Sequence, residues 1–217
     1  MTKIDYFPIF GAAFPKEHWV TIDLSEQNID LDFPRTSDPA YLAQFVQSHL
    51  VDANSVAMGG YREKRATYRA AAHFSDAPPE KVRDLHLGID LWVAAGTPIY
   101  APLEGVVHSF QVNNLPFDYG PTIILEHVEN GKVFYTLYGH LALNSLEGLQ
   151  EGQKIARGEE FAFVGESSVN GGWPPHLHLQ VMLDMYGLKG DFYGATCEQD
   201  QEQYFTNCPN PAFLLGF

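Results

Sequence analysis

The sequence predicts a mainly β protein, with an antiparallel β-sheet core that follows a helical and irregular N-terminal extension. After residue 80, short apolar runs alternate with polar residues between glycines and prolines, a pattern typical of antiparallel strands and turns. Before residue 80, apolar spacing is helical in one stretch and irregular elsewhere. The length of 217 residues is ordinary for one all-β domain. We therefore expect an extension over residues 1–80 and a sheet domain with a C-terminal tail over residues 81–217.

The first predicted element is a helix that begins at Asp38-Pro39. Aspartate caps helices well, and proline fits the first turn, where its missing N–H is not needed. Four apolar residues then recur at helical spacing and predict a buried face: Leu42, Phe45, Val46 and Leu50.

A concentrated basic run closes the extension and comprises Arg62, Lys64, Arg65 and Arg69. Such a run favours a solvated surface or structural ion pairs. Contact with a substrate carboxylate is the alternative.

Six segments after the extension predict strands: 99–100, 105–111, 122–127, 133–138, 161–164 and 177–183. Turn signals lie between several of them: Gly96-Thr97-Pro98, Asn130-Gly131 and Arg157-Gly158. The tail, residues 209–217, is too apolar at Phe213, Leu214 and Leu215 to remain exposed, so we expect it to cover an edge or end of the sheet.

Charge and composition limit the partners. The chain has 27 acidic and 13 basic residues and a formal charge of −14, which opposes binding to nucleic acid or to an anionic membrane. No run reaches the roughly 18 apolar residues of a membrane span, and the N-terminus lacks the apolar stretch of a secretory signal. These features predict a cytoplasmic protein, unless a signal was removed. The composition makes no prediction of oligomeric state.

Two cysteines, Cys197 and Cys208, lie in a polar, loop-like stretch. They would form a disulfide in an exported protein and remain thiols otherwise, and both alternatives stay open.

Two separated segments carry residue types that bind zinc: His86-Leu87-Gly88-Ile89-Asp90 and His176-Leu177-His178. Side chains alternate along a strand, so His176 and His178 share one face while Leu177 and the following Leu179 share the other. A straight strand would separate His86 and Asp90 by about 13 Å, too far for ligands that each lie about 2 Å from one ion. The chain must therefore bend, and Gly88 permits the bend. Three protein ligands with one open position describe a catalytic zinc site, and we expect one Zn²⁺ per chain.

Three motifs occur in a familiar order and separation: His86-Leu87-Gly88-Ile89-Asp90, Tyr138-Gly139-His140-Leu141 and His176-Leu177-His178. They resemble the motifs of the lysostaphin-type (LytM-like) zinc endopeptidases, which cut peptidoglycan cross-links. The resemblance covers roughly residues 81–185 and implies that residues 81–217 form the catalytic domain. Carried over residue by residue, it implies that His86, Asp90 and His178 bind zinc and that His140 and His176 are catalytic.

The chemistry of peptide hydrolysis requires a group that moves a proton. The motif His-Glu-x-x-His is absent, so the glutamate base of common zinc proteases has no counterpart here. Imidazole, with an unperturbed pKa near 6.5, can fill that role. Family members often have an oxyanion-donating tyrosine before the first ligand, but none lies between Arg69 and Leu85. Tyr68 or Tyr138 could substitute, or the donor is missing.

The loop before the last motif also departs from the family pattern, because it carries Trp173 on two prolines and would reshape the groove. We expect Asn170 and Trp173 to contact substrate, since loops beside a site carry specificity. This loop, with Tyr61-Arg62-Glu63-Lys64-Arg65 and Gly190-Asp191-Phe192, is similar to a branch of the family found in aminotransferase-containing fusions.

Three classes of function follow from these features. The first is a zinc endopeptidase acting on peptidoglycan cross-links or short small-residue peptides, which the resemblance places in the cell envelope or outside the cell. The second is a cytoplasmic zinc amidase or peptidase acting on a soluble metabolite or peptide. The third, a non-catalytic binding module, is disfavoured because all five site positions are occupied.

Overall fold

The structure, a computed structural model, describes residues 6–32, 35–70 and 72–217. The strands within these ranges are β1 Trp19–Ile22, β2 Val56–Gly59, β3 Leu85–His86, β4 Ile89–Trp92, β5 Pro98–Tyr100, β6 Gly105–Asn113, β7 Gly120–Glu129, β8 Lys132–Gly139, β9 Lys154–Ile155, β10 Glu160–Phe163, β11 His176–Met182 and β12 Ala195–Thr196. The α-helices are α1 Pro39–His49, α2 Ala72–Ser75 and α3 Gln201–Asn207. The fold is mainly β, as the sequence predicts.

One large sheet organises the molecule. Eight strands lie in the order β1-β2-β4-β11-β8-β7-β6-β9, and every pairing is antiparallel except that of β1 with β2. Two small sheets, β5 with β10 and β3 with β12, complete the architecture. The turn between β7 and β8 uses Asn130 and Gly131, both at positive φ, as a tight hairpin requires. The six strands predicted from alternation are thus confirmed in place.

The predicted helix is also confirmed, and it has a topological role. The Asp38 side chain accepts a hydrogen bond from the Ala40 N–H at 2.9 Å, and Leu42 and Val46 are buried. Helix α1 connects the parallel strands β1 and β2, which need a crossover rather than a tight turn.

The two strands of the extension, β1 and β2, were not predicted from the sequence. Strand β2 pairs with β4, so that Gly59 lies opposite Asp90 and Ala57 lies opposite Trp92. The extension therefore contributes to the same sheet as the residues after position 80.

The main apolar core lies on one face of the central strands. Leu177 and Leu179 of β11 point into it together with Ile89 and Leu91 of β4. The apolar tail contributes as expected, since Leu214 and Leu215 are buried in the same core. Because side chains alternate along a strand, Asp90 of β4 and His176, His178 and Gln180 of β11 lie on the other face.

Cys197 and Cys208 are buried free thiols, which corresponds to the thiol alternative. Among the helices in the described ranges, none is both long and apolar enough to cross a bilayer.

Candidate metal centre and active site

Adjacent strands bring the predicted zinc-binding residues together. Asp90 of β4 lies directly opposite His178 of β11 in the antiparallel register. His86 ends the short strand β3, and the chain bends at Leu87 and Gly88 before β4 begins. The bend confirms the expectation that a straight strand could not hold both His86 and Asp90 at one point.

The three candidate ligand atoms form a nearly equilateral triangle. His178 Nδ1 lies 3.0 Å from Asp90 Oδ1 and 3.1 Å from His86 Nε2, and His86 Nε2 lies 3.3 Å from Asp90 Oδ1. A tetrahedral zinc ion with bonds of about 2.0–2.1 Å separates its ligand atoms by about 3.3 Å. The donor set, two imidazoles and one carboxylate, is also typical of catalytic zinc. The residues present therefore fit a zinc ion.

Backbone and amide carbonyl groups fix the tautomers of four histidines. A carbonyl only accepts hydrogen bonds, so the ring nitrogen that contacts one must carry the proton. The pairs are His86 Nδ1 with Gly60 O at 2.9 Å, His140 Nδ1 with Asn170 O at 2.9 Å, His176 Nδ1 with Pro174 O at 2.8 Å and His178 Nε2 with Gln180 Oε1 at 3.0 Å. In its neutral form, each of these rings then has its second nitrogen unprotonated. In His86 and His178, that nitrogen belongs to the triangle.

Gln180 has a defined orientation because its amide Nε2 donates to the Tyr193 carbonyl at 3.0 Å. The amide oxygen is therefore the atom that faces His178. Outer-shell partners of this kind orient a ligand and set its basicity. The strand pattern contained the signal for this residue, since Gln180 follows His178 by two positions on the same face.

Burial favours the neutral form of His86, His140 and His176. It lowers the pKa of His86, lowers that of His140 well below its usual value and lowers that of His176 to about 4. Burial alone would raise the pKa of Asp90, but the Arg65 guanidinium on its Oδ2 favours the ionised form, and this pKa lies well below the usual value. The triangle therefore presents a neutral imidazole at His86 and an ionised carboxylate at Asp90, the protonation states that metal binding requires of these groups.

The two histidines predicted to be catalytic stack beside the triangle. The ring centroids of His140 and His176 are 4.1 Å apart, and Trp92 stacks on the other face of His176 at 4.2 Å. His176 Nε2 lies 3.8 Å from Asp90 Oδ1. His140 adopts a left-handed backbone conformation with φ of 61°, which is uncommon outside glycine and clusters at functional sites.

A cleft of about 280 Å³ opens over these residues. Its wall is largely aromatic and includes Tyr68, Phe117, Tyr119, Trp173, Phe192 and Tyr193. Trp173 contacts Phe117 and Tyr68 edge to face, with ring centroids 5.1 and 6.0 Å apart. This contact joins the extension to the loop before β11 and narrows the cleft on that side.

The residues predicted to contact substrate differ in position. Trp173 lines the cleft, whereas Asn170 is fully buried and accepts the His140 hydrogen bond through its backbone carbonyl. Neither side-chain amide atom of Asn170 has a hydrogen-bond partner within the described ranges. Asn170 therefore contacts a histidine of the site by its main chain, and its contact with substrate stays a prediction.

The two tyrosines considered as oxyanion donors lie in different parts of the structure. Tyr138 is buried in the main core, and its hydroxyl lies 3.2 Å from the Thr136 hydroxyl. Tyr68 lines the cleft, as does Tyr119, which the sequence analysis did not single out. Tyr119 carried no motif or spacing signal, because it reaches the site through the loop before β7.

The basic run of the extension forms ion pairs, as its pattern favours. Arg69 pairs with Asp84 and Glu26 at the surface. Arg65 is buried instead, and its partners are Glu63 and, in the triangle, Asp90. This contact with a candidate metal ligand was not predicted from the sequence.

Gly88→Ala is expected to lower zinc affinity more than tenfold. A Cβ at this position would lie 2.6 Å from two His178 ring atoms and 2.7 Å from the Leu179 carbonyl oxygen, so the ring must move. Overpacking of this kind also destabilises a fold by about 1–3 kcal/mol. Competition with a chromogenic chelator measures the affinity, and thermal unfolding measures the stability.

Gly105→Ala is the matched control for this crowding. Its Cβ would lie 2.8 Å from a ring atom of His127, which is remote from the triangle and bonds to Glu104 and Thr136. We expect a similar loss of stability with unchanged zinc affinity. Equal zinc affinity in both variants would contradict the account of Gly88.

The fold and this site define a candidate metal-dependent hydrolase centre. Residues 84–189 match the family model described as Peptidase family M23. A metalloprotease of Haemophilus influenzae that is described as uncharacterized is 32% identical over 101 residues, 46% of this chain and 19% of that protein. The peptidoglycan DD-endopeptidase ShyA of Vibrio cholerae is 32% identical over 98 residues, 45% of this chain and 20% of that protein.

Among solved structures, the catalytic domain of lysostaphin from Staphylococcus simulans aligns with a TM-score of 0.39 and 22% identity, covering 62% of this chain and 81% of that chain. The chain spans about a fifth of the length of the two relatives named above. Over residues 84–189, just under half of the chain, the sequence is therefore similar to peptidase family M23.

Proposed function

We propose that the protein is a zinc-dependent endopeptidase that hydrolyses peptide bonds in peptidoglycan cross-links or in short small-residue peptides. The observation that carries the proposal is the triangle of His86 Nε2, Asp90 Oδ1 and His178 Nδ1, with separations of 3.0–3.3 Å, beside two further neutral imidazoles in a cleft. The match of residues 84–189 to family M23 supports it, and ShyA gives a relative whose name describes peptidoglycan cleavage. When bound, zinc supplies Lewis acidity that polarises a carbonyl and lowers the pKa of water to about 7.

In this proposal, His140 and His176 move the protons. Their tautomers leave Nε2 unprotonated, so either ring can accept the proton that the attacking water loses as its oxygen bonds to the carbonyl carbon. That proton then passes to the leaving amine as the C–N bond breaks. Stacking between Trp92 and His140 keeps the His176 ring in place for this transfer.

Tyr68 is the tyrosine that we propose as oxyanion donor. Arg65 Nη1 lies 3.3 Å from the Tyr68 hydroxyl oxygen and can only donate, so the oxygen accepts and the hydroxyl hydrogen is left to donate elsewhere. Tyr68 lines the same cleft as His140 and His176. A donor aimed at developing negative charge contributes to catalysis by electrostatic stabilisation.

The cleft itself favours a short substrate. Its volume of about 280 Å³ and the wall formed by Trp173 and Tyr68 leave room for few residues beside the triangle. This observation also favours the second candidate function, that of a zinc peptidase or amidase that acts on a soluble peptide or metabolite.

The function is tested with the zinc-loaded full chain against purified sacculi and a panel of glycine and D-alanine peptides, with product amines detected by mass spectrometry. We expect hydrolysis of at least one peptide bond, lost on chelation and restored by zinc. Cleavage of sacculi supports the cross-link substrate, and cleavage of free peptides alone supports the second candidate. Absence of hydrolysis across the panel in a chain loaded with zinc would contradict the endopeptidase proposal.

A further inference from the structure

Three buried charged residues form a chain that ends on the metal triangle. Arg65 donates through Nη1 to Asp90 Oδ2 at 2.5 Å and through Nε to Glu63 Oε2 at 2.6 Å. The exposed fractions of the Arg65 and Asp90 side chains are 3%, and that of Glu63 is 8%. Glu63 is held in turn, because its other oxygen accepts from the Leu24 N–H at 2.8 Å. Charges this deeply buried are retained only when they are paired and hydrogen-bonded.

The two oxygens of Asp90 have different partners. Oδ1 faces His86 and His178 in the triangle, whereas Oδ2 is engaged by Arg65. A carboxylate can bind a metal through one oxygen or through both. With Oδ2 held by a guanidinium, Oδ1 is the oxygen left for the metal.

The backbone holds Arg65 in this position. Segment 60–65 pairs with segment 84–86 through Arg62 N to His86 O at 2.9 Å, His86 N to Glu63 O at 2.9 Å and Arg65 N to Asp84 O at 2.8 Å. The same segment supplies the Gly60 carbonyl that fixes the His86 tautomer. It lies outside residues 84–189, the part that matches the family model. The extension therefore forms the outer shell of two of the three candidate ligands.

We infer that Arg65 is a positioning residue that restricts Asp90 to one ligand oxygen, Oδ1. By holding Oδ2, Arg65 prevents Asp90 from binding the metal through both carboxylate oxygens. The inference rests on the proposed zinc site. Arg65 also contacts the Tyr68 hydroxyl, so one guanidinium fixes a metal ligand and a residue of the cleft wall together. Lysine cannot replace it fully, because an ammonium lacks the planar fork that reaches Asp90 and Glu63 at once.

The test uses full-chain Arg65→Lys and the paired variant Glu63→Gln/Arg65→Met, which avoids leaving Glu63 buried and unpaired. Zinc affinity is measured by chelator competition, and Co²⁺ is substituted to report coordination by visible absorption. We expect the paired variant to bind zinc about 10–100-fold more weakly, as is typical of outer-shell changes. Its Co²⁺ bands should weaken as the second Asp90 oxygen adds to the coordination sphere. Arg65→Lys should fall between the wild type and the paired variant in both measurements.

Arg69→Met is the matched control, since it removes a neighbouring arginine that pairs with Asp84 and Glu26 and is 45% exposed. It should leave zinc affinity and the Co²⁺ spectrum unchanged. The inference is overturned if either Arg65→Lys or the folded paired variant has wild-type zinc affinity and a wild-type Co²⁺ spectrum. A wild-type chain that binds no zinc would instead overturn the proposed function, so the two failures are distinguishable.

Discussion

His178→Ala is expected to lose stoichiometric zinc and all zinc-dependent hydrolysis. His178 Nδ1 is one of three ligand atoms, and the shortest edges of the triangle, 3.0 and 3.1 Å, both end on it. Without it, Asp90 and His86 remain as a two-ligand site. Changes to outer-shell residues typically lower metal affinity about 10–100-fold, and we expect the loss of zinc affinity here to be larger. Metal content after dialysis measures the loss. Zinc should raise the melting temperature of the wild type and not that of the variant, because a ligand stabilises the folded protein only if it binds to it.

His127→Ala controls for the removal of a buried imidazole. His127 is buried in β7 and bonds to Glu104 and Thr136, outside the triangle. This variant should be destabilised yet retain one zinc ion and full hydrolysis. If His178→Ala kept a full complement of zinc, the assignment of His178 as a ligand would be wrong.

His140→Ala is expected to retain zinc and lose hydrolysis. Its ring lies beside His176 rather than in the triangle, so zinc affinity should change little. Removing a proton-transfer group lowers kcat by about 10²–10⁴-fold. Steady-state kinetics on whichever panel substrate is cleaved, with zinc content measured on the same sample, separate the two effects.

His108→Ala provides the comparison for this variant, because its imidazole contacts Ser109 and Tyr135 and is remote from the cleft wall. It should keep wild-type kcat and zinc. Full activity in His140→Ala would exclude the proton-transfer role and leave that role to His176 alone.

Local patterns predicted much of the fold. Strands β6, β7, β8 and β11 follow from alternation and from turn residues such as Asn130-Gly131, whose backbone requirements are local. Strands β1 and β2 were not predicted, because each has four residues and their parallel pairing is joined by a helix rather than by a turn. Nothing in the sequence near Val56 states which distant strand it will join.

Some features of the candidate site likewise follow from local sequence, and others depend on distant contacts. The face shared by His176 and His178, and the bend at Gly88, follow from strand geometry, and both are present. Gly88 acts through a close approach to His178 rather than through an unusual φ, a distinction that only the neighbouring strand reveals. The contact of Arg65 with Asp90 joins residues 25 positions apart, and it arises because segment 60–65 pairs with the segment that contains His86.

The most direct test of this account is an anomalous-diffraction map at the zinc edge from crystals of the zinc-loaded full chain. The account predicts one strong peak bound by His86 Nε2, Asp90 Oδ1 and His178 Nδ1, with Asp90 Oδ2 still on Arg65 and with His140 and His176 at the edge of the coordination sphere. A peak held by other residues, or no peak at this triangle in a zinc-loaded crystal, would contradict it.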